Sequence, residues 1–151
     1  MIKIICVGSI KEKYFKEAIE EYSKRLSKYT KLEIIEVKDY SINEIDKCIK
    51  LEEEEILNKI NPKDYVITLE IEGNELNSID LSNKIDNILQ INPNITFIIG
   101  GSYGLSDIIK QQANYKLSFS KMTFPHQLFR VILLEQLYRS YKILNNETYH
   151  K

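Results

Sequence analysis

Short runs of branched apolar residues alternate five times with longer stretches of helical periodicity, and that alternation leaves few architectures open. Residues 2–8 (IKIICVG), 32–38 (LEIIEVK), 64–71 (DYVITLEI), 95–99 (ITFII) and 116–119 (KLSF) read as strands. Between them, residues 11–30, about 44–60, 80–90, 106–113 and 125–143 read as helices. In the first of these, Phe15, Ala18, Ile19, Tyr22, Leu26 and Tyr29 recur at three- and four-residue steps. Asn61–Pro62 breaks the second helix, Gly73–Asn74 turns the chain, and Ser106 is placed to cap the fourth helix. Strand–helix alternation of this kind predicts an α/β fold: a mostly parallel sheet with helices on both faces. No linker, repeat or low-complexity segment interrupts it, so residues 1–151 are expected to form a single domain.

Composition narrows the setting more than the chemistry. With 43% hydrophobic and 28% charged residues the chain has an ordinary globular balance. No apolar run approaches the ~20 residues of a membrane helix, and the opening MIKIICVGSIKEKY lacks the pattern of a signal peptide. A cytoplasmic protein is expected. Cys6 and Cys48 lie in apolar patterns outside any CxxC, and are read as free thiols packed as small hydrophobes. Two histidines without ligand spacing argue against a metal site. The run Glu52–Glu55 is read as a solvated helix face. Net charge is −1, but residues 108–151 carry +5 against −6 in the rest. That asymmetry fits a C-terminal part facing an anion, or simply a solvated basic helix face.

In parallel α/β sheets, ligands sit beyond the carboxyl ends of strands. Three such ends stand out: Thr68-Leu69-Glu70, the loop Gly100-Gly101-Ser102-Tyr103-Gly104, and Leu117 through Gln127. The glycine loop lets backbone amides approach a ligand. It matches neither a dinucleotide fingerprint nor a phosphate loop, and alone it is a generic turn. The segment Phe119–Gln127 mixes apolar and hydroxylic side chains and closes on Pro125. Such a loop can offer backbone donors and acceptors to an adenine edge. It can equally be a plain strand-to-helix turn capped by Thr123.

Taken together, Gly100-Gly101-Ser102-Tyr103-Gly104-Leu105, the stretch Leu117–Gln127, Arg130–Arg139 and the terminal Tyr149-His150-Lys151 resemble the ribosomal RNA large-subunit methyltransferase H family of the SPOUT superfamily. The opening Val7-Gly8-Ser9-Ile10-Lys11-Glu12 agrees, and the resemblance covers the whole chain. The segment from Ser118 to Arg139 is its most specific part. The resemblance implies a C-terminal trefoil knot, which no periodicity would reveal. It also implies a homodimer that uses S-adenosyl-L-methionine to methylate N3 of a pseudouridine in 23S ribosomal RNA, in the stem-loop at the intersubunit bridge of the ribosome. On the same ground the cofactor should lie against Leu69, Gly100, Phe119, Ser120, Lys121, Met122, Thr123 and Phe124. The tail should complete the target site across the dimer.

Loss of the N3 proton calls for a base or a hydrogen-bond partner. His150 is favoured through the tail's implied position, with Tyr149 beside it, while His126 at a helix start can be catalytic or structural. Arg130 and Lys151 are candidates for RNA phosphates. Tyr138 and Arg139 can serve dimer packing. Leu128, Val131, Ile132, Leu134, Leu137, Tyr138 and Tyr141 give the last helix an apolar surface wide enough for a core and a partner. Two other readings stand beside this one. A non-catalytic ribosome-associated binding protein on the same fold would need no cofactor. A small-molecule α/β enzyme using another nucleotide is disfavoured by the missing phosphate-loop lysine.

Overall fold

The computed structural model describes all 151 residues. Five strands and five helices alternate as β1 (Ile2–Val7), α1 (Lys13–Leu26), β2 (Leu32–Val37), α2 (Ile45–Leu57), β3 (Tyr65–Glu75), α3 (Ser78–Ile91), β4 (Ile95–Ile99), α4 (Asp107–Gln112), β5 (Tyr115–Ser118) and α5 (His126–Leu144). All strands run parallel in one sheet of order β2-β1-β4-β3-β5. The two-residue period of each strand divides the core in two. Ile2, Ile4 and Cys6 of β1 and Ile95, Phe97 and Ile99 of β4 meet α1, α3 and α5 on one face. Ile5, Val7 and Ile98 meet Ile56 of α2 and Ile109 of α4 on the other. Both cysteines are buried and free. Ser106 caps α4, accepting from the Ile109 amide.

Three local expectations are corrected. Gly73–Asn74 is not a turn: β3 continues to Glu75 with a register shift after Leu69, pairing Asn74 with Leu117 and Glu75 with Ser118 of β5. A Cβ on Gly73 would stand 2.8 Å from the Lys116 carbonyl oxygen, so the missing side chain is what lets the two backbones close. Pro125 precedes α5 as its N-cap, and Thr123 caps nothing. Glu52 and Glu53 are buried rather than solvated, because that side of α2 turns toward the loops beyond β2 and β4. Glu53 pairs with Lys50 at 3.2 Å. Glu52 accepts from the Tyr40 amide and the Cys48 thiol on Oε2, and leaves Oε1 without a partner.

Candidate active site

The strand order sets up crevices at the carboxyl edge. β1 leads to α1 on one face while its neighbour β4 leads to α4 on the other, and β3 leads back to the first face. Loops leaving adjacent strands therefore part, and ligands bind in such clefts. A cavity of about 300 Å³ opens beyond β3, β4 and β5. Its apolar wall includes Leu69, Leu105, Leu117, Phe119, Phe124 and Phe129. Phe129 stacks on Phe124 and meets Phe119 edge-on, fixing the rings from the α5 side.

The glycine loop forms one rim. Gly104 has φ +80 and donates its amide to the Gly101 carbonyl at 3.1 Å, a conformation that favours glycine. A Cβ on Gly100 would lie 2.9 Å from the Gly104 backbone, so Gly100 is required by the loop's own return rather than by the cavity.

The segment between β5 and α5 forms the other rim. Its amides are largely unspent. Among residues 119–124 only Met122 donates its backbone N–H within the chain, to Ser120 Oγ. Ser118 Oγ reaches over the bend to the Ser120 carbonyl and holds it. An apolar cavity edged by free backbone donors and acceptors suits a heteroaromatic ring with a polar edge. Of the residues expected around a cofactor, Leu69, Gly100, Phe119, Ser120, Met122, Thr123 and Phe124 line this cavity, together with His126. Lys121 does not line it and is exposed.

Glu70 and Lys110 also line the cavity and were not among the expected residues. Glu70 accepts from the Thr68 hydroxyl at 2.6 Å and lies 4.0 Å from Lys110 Nζ. Its position at a strand end in the parallel sheet was the available signal.

The remaining candidates are elsewhere. Arg130 is 2% exposed: its guanidinium donates to Glu36 Oε2 at 2.7 Å and to the Gly8 carbonyl at 3.0 Å. It presents no surface to a phosphate and instead ties α5 to the ends of β1 and β2. Of the C-terminal cations, Arg139 pairs with Glu135, Lys142 with Glu147 and Lys110 with Glu70, while Lys116, Lys121 and Lys151 form no ion pair.

The tail is packed down. Tyr149 donates to Glu135 Oε1 at 3.0 Å, lies edge-on to Tyr138 and sits under the Arg139 guanidinium. Burial first, and then the Glu135 hydrogen bond, push the Tyr149 phenol up to about 12. It is therefore a donor, not a base, at neutral pH. His150 is exposed, with Nδ1 3.1 Å from Arg139. Lys151 is exposed as well. Arg139 follows His126 by thirteen positions along α5, which at the helical rise is ~20 Å. One chain therefore does not bring its own tail to its own cavity.

No group of three His, Cys, Asp or Glu side chains converges as a metal site would require. No helix is long and apolar enough to cross a membrane.

Comparison with known proteins agrees with this architecture. Residues 1–150 match the family model described as "Predicted SPOUT methyltransferase". The chain is 55% identical to the ribosomal RNA large subunit methyltransferase H of Clostridium tetani, with 99% of each chain covered. It is 49% identical to the protein of that name from Caldicellulosiruptor saccharolyticus, with both chains fully covered. Among solved structures, a probable methylase family protein from Haemophilus influenzae Rd KW20 superposes with a TM-score of 0.58 at 13% identity, over 99% of this chain and 70% of that one. That last likeness is one of fold.

Proposed function

The chain belongs to the SPOUT methyltransferase family, among the ribosomal RNA large subunit methyltransferases H, and we propose that it methylates N3 of a pseudouridine in 23S ribosomal RNA with S-adenosylmethionine as donor. The observation that carries this reading is the cavity of about 300 Å³ with aromatic walls and an unspent backbone rim. When bound, S-adenosylmethionine would supply a sulfonium methyl carbon for in-line attack by N3, with the C–S electron pair leaving on the sulfur of S-adenosylhomocysteine.

The protein's part is to bind, orient and take the proton. Leu69, Phe119 and Phe124 enclose an adenine ring, and the 119–124 backbone reads its edge. Glu70 and its partner Lys110 place a carboxylate and an ammonium on the cavity wall, polar handles for the charged end of the donor. Holding the base against the methyl is worth much of the rate. The N3 proton passes to a base, and His150 of the partner subunit is our assignment, because the tail lies far from its own cavity. His126 is the alternative within the chain.

The half-buried Leu128, Val131 and Ile132 on α5 support a two-fold homodimer. The same reading extends to one domain over residues 1–151, a place of work on the cytoplasmic ribosome, and a C-terminal trefoil knot. In support of the knot, residues 119–125 lead from edge strand β5 to His126, beside Gly8 at the end of β1, and α5 then packs on both α1 and α3.

Calorimetry with S-adenosylmethionine, followed by mass spectrometry of 23S RNA from a deletion strain, tests the assignment. We expect stoichiometric binding and loss of one methyl group from a single pseudouridine. A folded dimer that binds no cofactor would overturn it.

A further inference from the structure

Next to the cavity, at the ends of β1 and β2, is a second constellation that the cofactor reading leaves unused. Gly8 has φ +86, and a Cβ placed there would stand 3.6 Å from His126 Nε2 and 3.8 Å from Asp39 Oδ2. Both side chains are half-buried and converge over this glycine. Asp39 Oδ1 is held by the amide and hydroxyl of Ser41, each at 3.0 Å. That fixes the carboxylate and leaves Oδ2 without a hydrogen bond inside the chain, above the same glycine as the His126 imidazole. The imidazole makes no hydrogen bond within the chain through either nitrogen. His126 lines the cofactor cavity as well, so the two spaces share a wall. Behind them, Glu52 is 3% exposed and has an orphan Oε1, 3.1 Å from where a Gly101 Cβ would be. A buried carboxyl with an unpartnered oxygen makes this corner acidic and favours a ligand that brings donors.

We propose that this crevice receives the target base and that Asp39 is the residue that distinguishes pseudouridine from uridine. The inference rests on the function proposed above. The two bases present the same N3 edge. They differ where uridine carries C5–H: pseudouridine has a ring N1–H there, next to the C2 carbonyl. That edge is a donor beside an acceptor. Asp39 Oδ2 offers the acceptor, and His126 Nε2–H offers the donor. In this pose N3 points away from Asp39, toward the shared wall and the cofactor cavity. The His126 hydrogen bond to O2 also steadies the negative charge that spreads onto the carbonyl when N3 loses its proton. Uridine would set a C–H against Asp39 and leave Oδ2 desolvated without a donor, which a site built for hydrogen bonding rejects strongly.

The test uses Asp39→Asn in the full-length dimer. Asparagine keeps the Oδ1 contacts to Ser41 but puts an N–H₂ donor where N1–H must dock. Substrates are ribosomes from a strain lacking this methyltransferase, and equivalent ribosomes bearing uridine at the target position. The wild type should favour pseudouridine. The variant should lose on the order of 100-fold in kcat/KM on pseudouridine and change little on uridine, so that the preference collapses. S-Adenosylmethionine affinity and melting temperature should stay as in the wild type. An equal loss on both substrates, or an unchanged preference in the variant, would overturn the assignment of Asp39. Wild-type protein that methylates neither ribosome would instead strike down the proposed function itself.

Discussion

Arg130 shows how a residue type can mislead at the scale of a single side chain. A cation in a basic C-terminal segment suggests phosphate binding, yet its environment makes it a structural clamp. It bridges Glu36 and the Gly8 carbonyl at the floor of the base crevice, and its Nε is buried without a partner. Glu36 is itself exposed and would be solvated without its partner, so the loss lies in the buried arginine: its truncation leaves a cavity and an unpaired Gly8 carbonyl. Arg130→Ala should therefore cost about 2 kcal/mol, or roughly 6 °C in melting temperature for a domain of this size. A phosphate contact would leave melting unchanged, so a thermal scan separates the two roles. Glu52 titrates in the opposite sense to a paired carboxylate. Burial raises its carboxyl above the ordinary glutamate range, against the smaller effects of the Cys48 and Tyr40 hydrogen bonds. The folded state then holds that proton more tightly than the unfolded chain. Its contribution to stability is full below the ordinary glutamate pKa and is lost as pH rises through the raised value. Above that window the buried charge is a burden. Glu52→Gln should raise the melting temperature by a few degrees near neutral pH and leave it unchanged in acid. Melts across that range check it, and a variant destabilised at neutral pH would show that the carboxylate is satisfied there.

At the scale of elements, the junction of β3 and β5 governs the cofactor cavity. Gly73 lets the bulged end of β3 lie against β5, and β5 carries residues 119–124 into place. Gly73→Ala would push a methyl group to 2.8 Å from the Lys116 carbonyl oxygen. We expect a cost of ~1–3 kcal/mol, the range for overpacking a closed contact. S-Adenosylmethionine affinity should fall at least ~10-fold with it, since displacing the loop by even ~1 Å spoils its alignment. Gly104→Ala is the useful contrast, because nothing lies within 4 Å of its Cβ position and only the φ of +80 is strained. Calorimetry on both variants reads the difference, and equal affinities would detach the loop from the bulge. The same junction marks the limit of what the sequence discloses. All five strands and five helices were legible from periodicity, because the central strands β1 and β4 are buried on both faces and the amphipathic helices bury one. Gly73 was not, since a glycine demanded by close backbone approach looks the same as one demanded by a turn. Glu52 and Glu53 were missed for a related reason. Periodicity tells which side of α2 is charged, but not that the loops after β2 and β4 fold over that side. The cavity-lining stretch from Phe119 to Phe124 was visible through family resemblance. Asp39 had no signal, because it becomes meaningful only once Gly8 and His126 stand beside it.

For the whole molecule, the separation between tail and cavity decides how many chains make a working site. Tyr149 is anchored by Glu135, Tyr138 and Arg139. Glu147 is held by Lys142 and Tyr29, so residues 145–148 are not a loose tether. With ~20 Å of α5 between Arg139 and His126, a tail that acts on the target must do so in the partner's site. Deleting residues 149–151 should leave S-adenosylmethionine affinity and dimerisation nearly unchanged. Methyl transfer on ribosomes should fall at least ~100-fold, as expected when a general base or a positioning contact is lost. Loss of cofactor binding in this variant would place the tail in its own pocket after all. Mixing gives the sharper test. A second variant, Leu69→Arg, puts bulk and positive charge into the cavity while keeping its own tail. Each variant alone should be nearly inactive. After subunit exchange at equal concentration, about half of the dimers are mixed, and each mixed dimer holds one intact cavity facing one intact tail, for about a quarter of the wild-type sites. Activity near that fraction is expected by tritiated methyl transfer. An inactive mixture, with exchange verified by native mass spectrometry, would mean that cavity and tail must belong to the same chain, and the two-chain site would be abandoned.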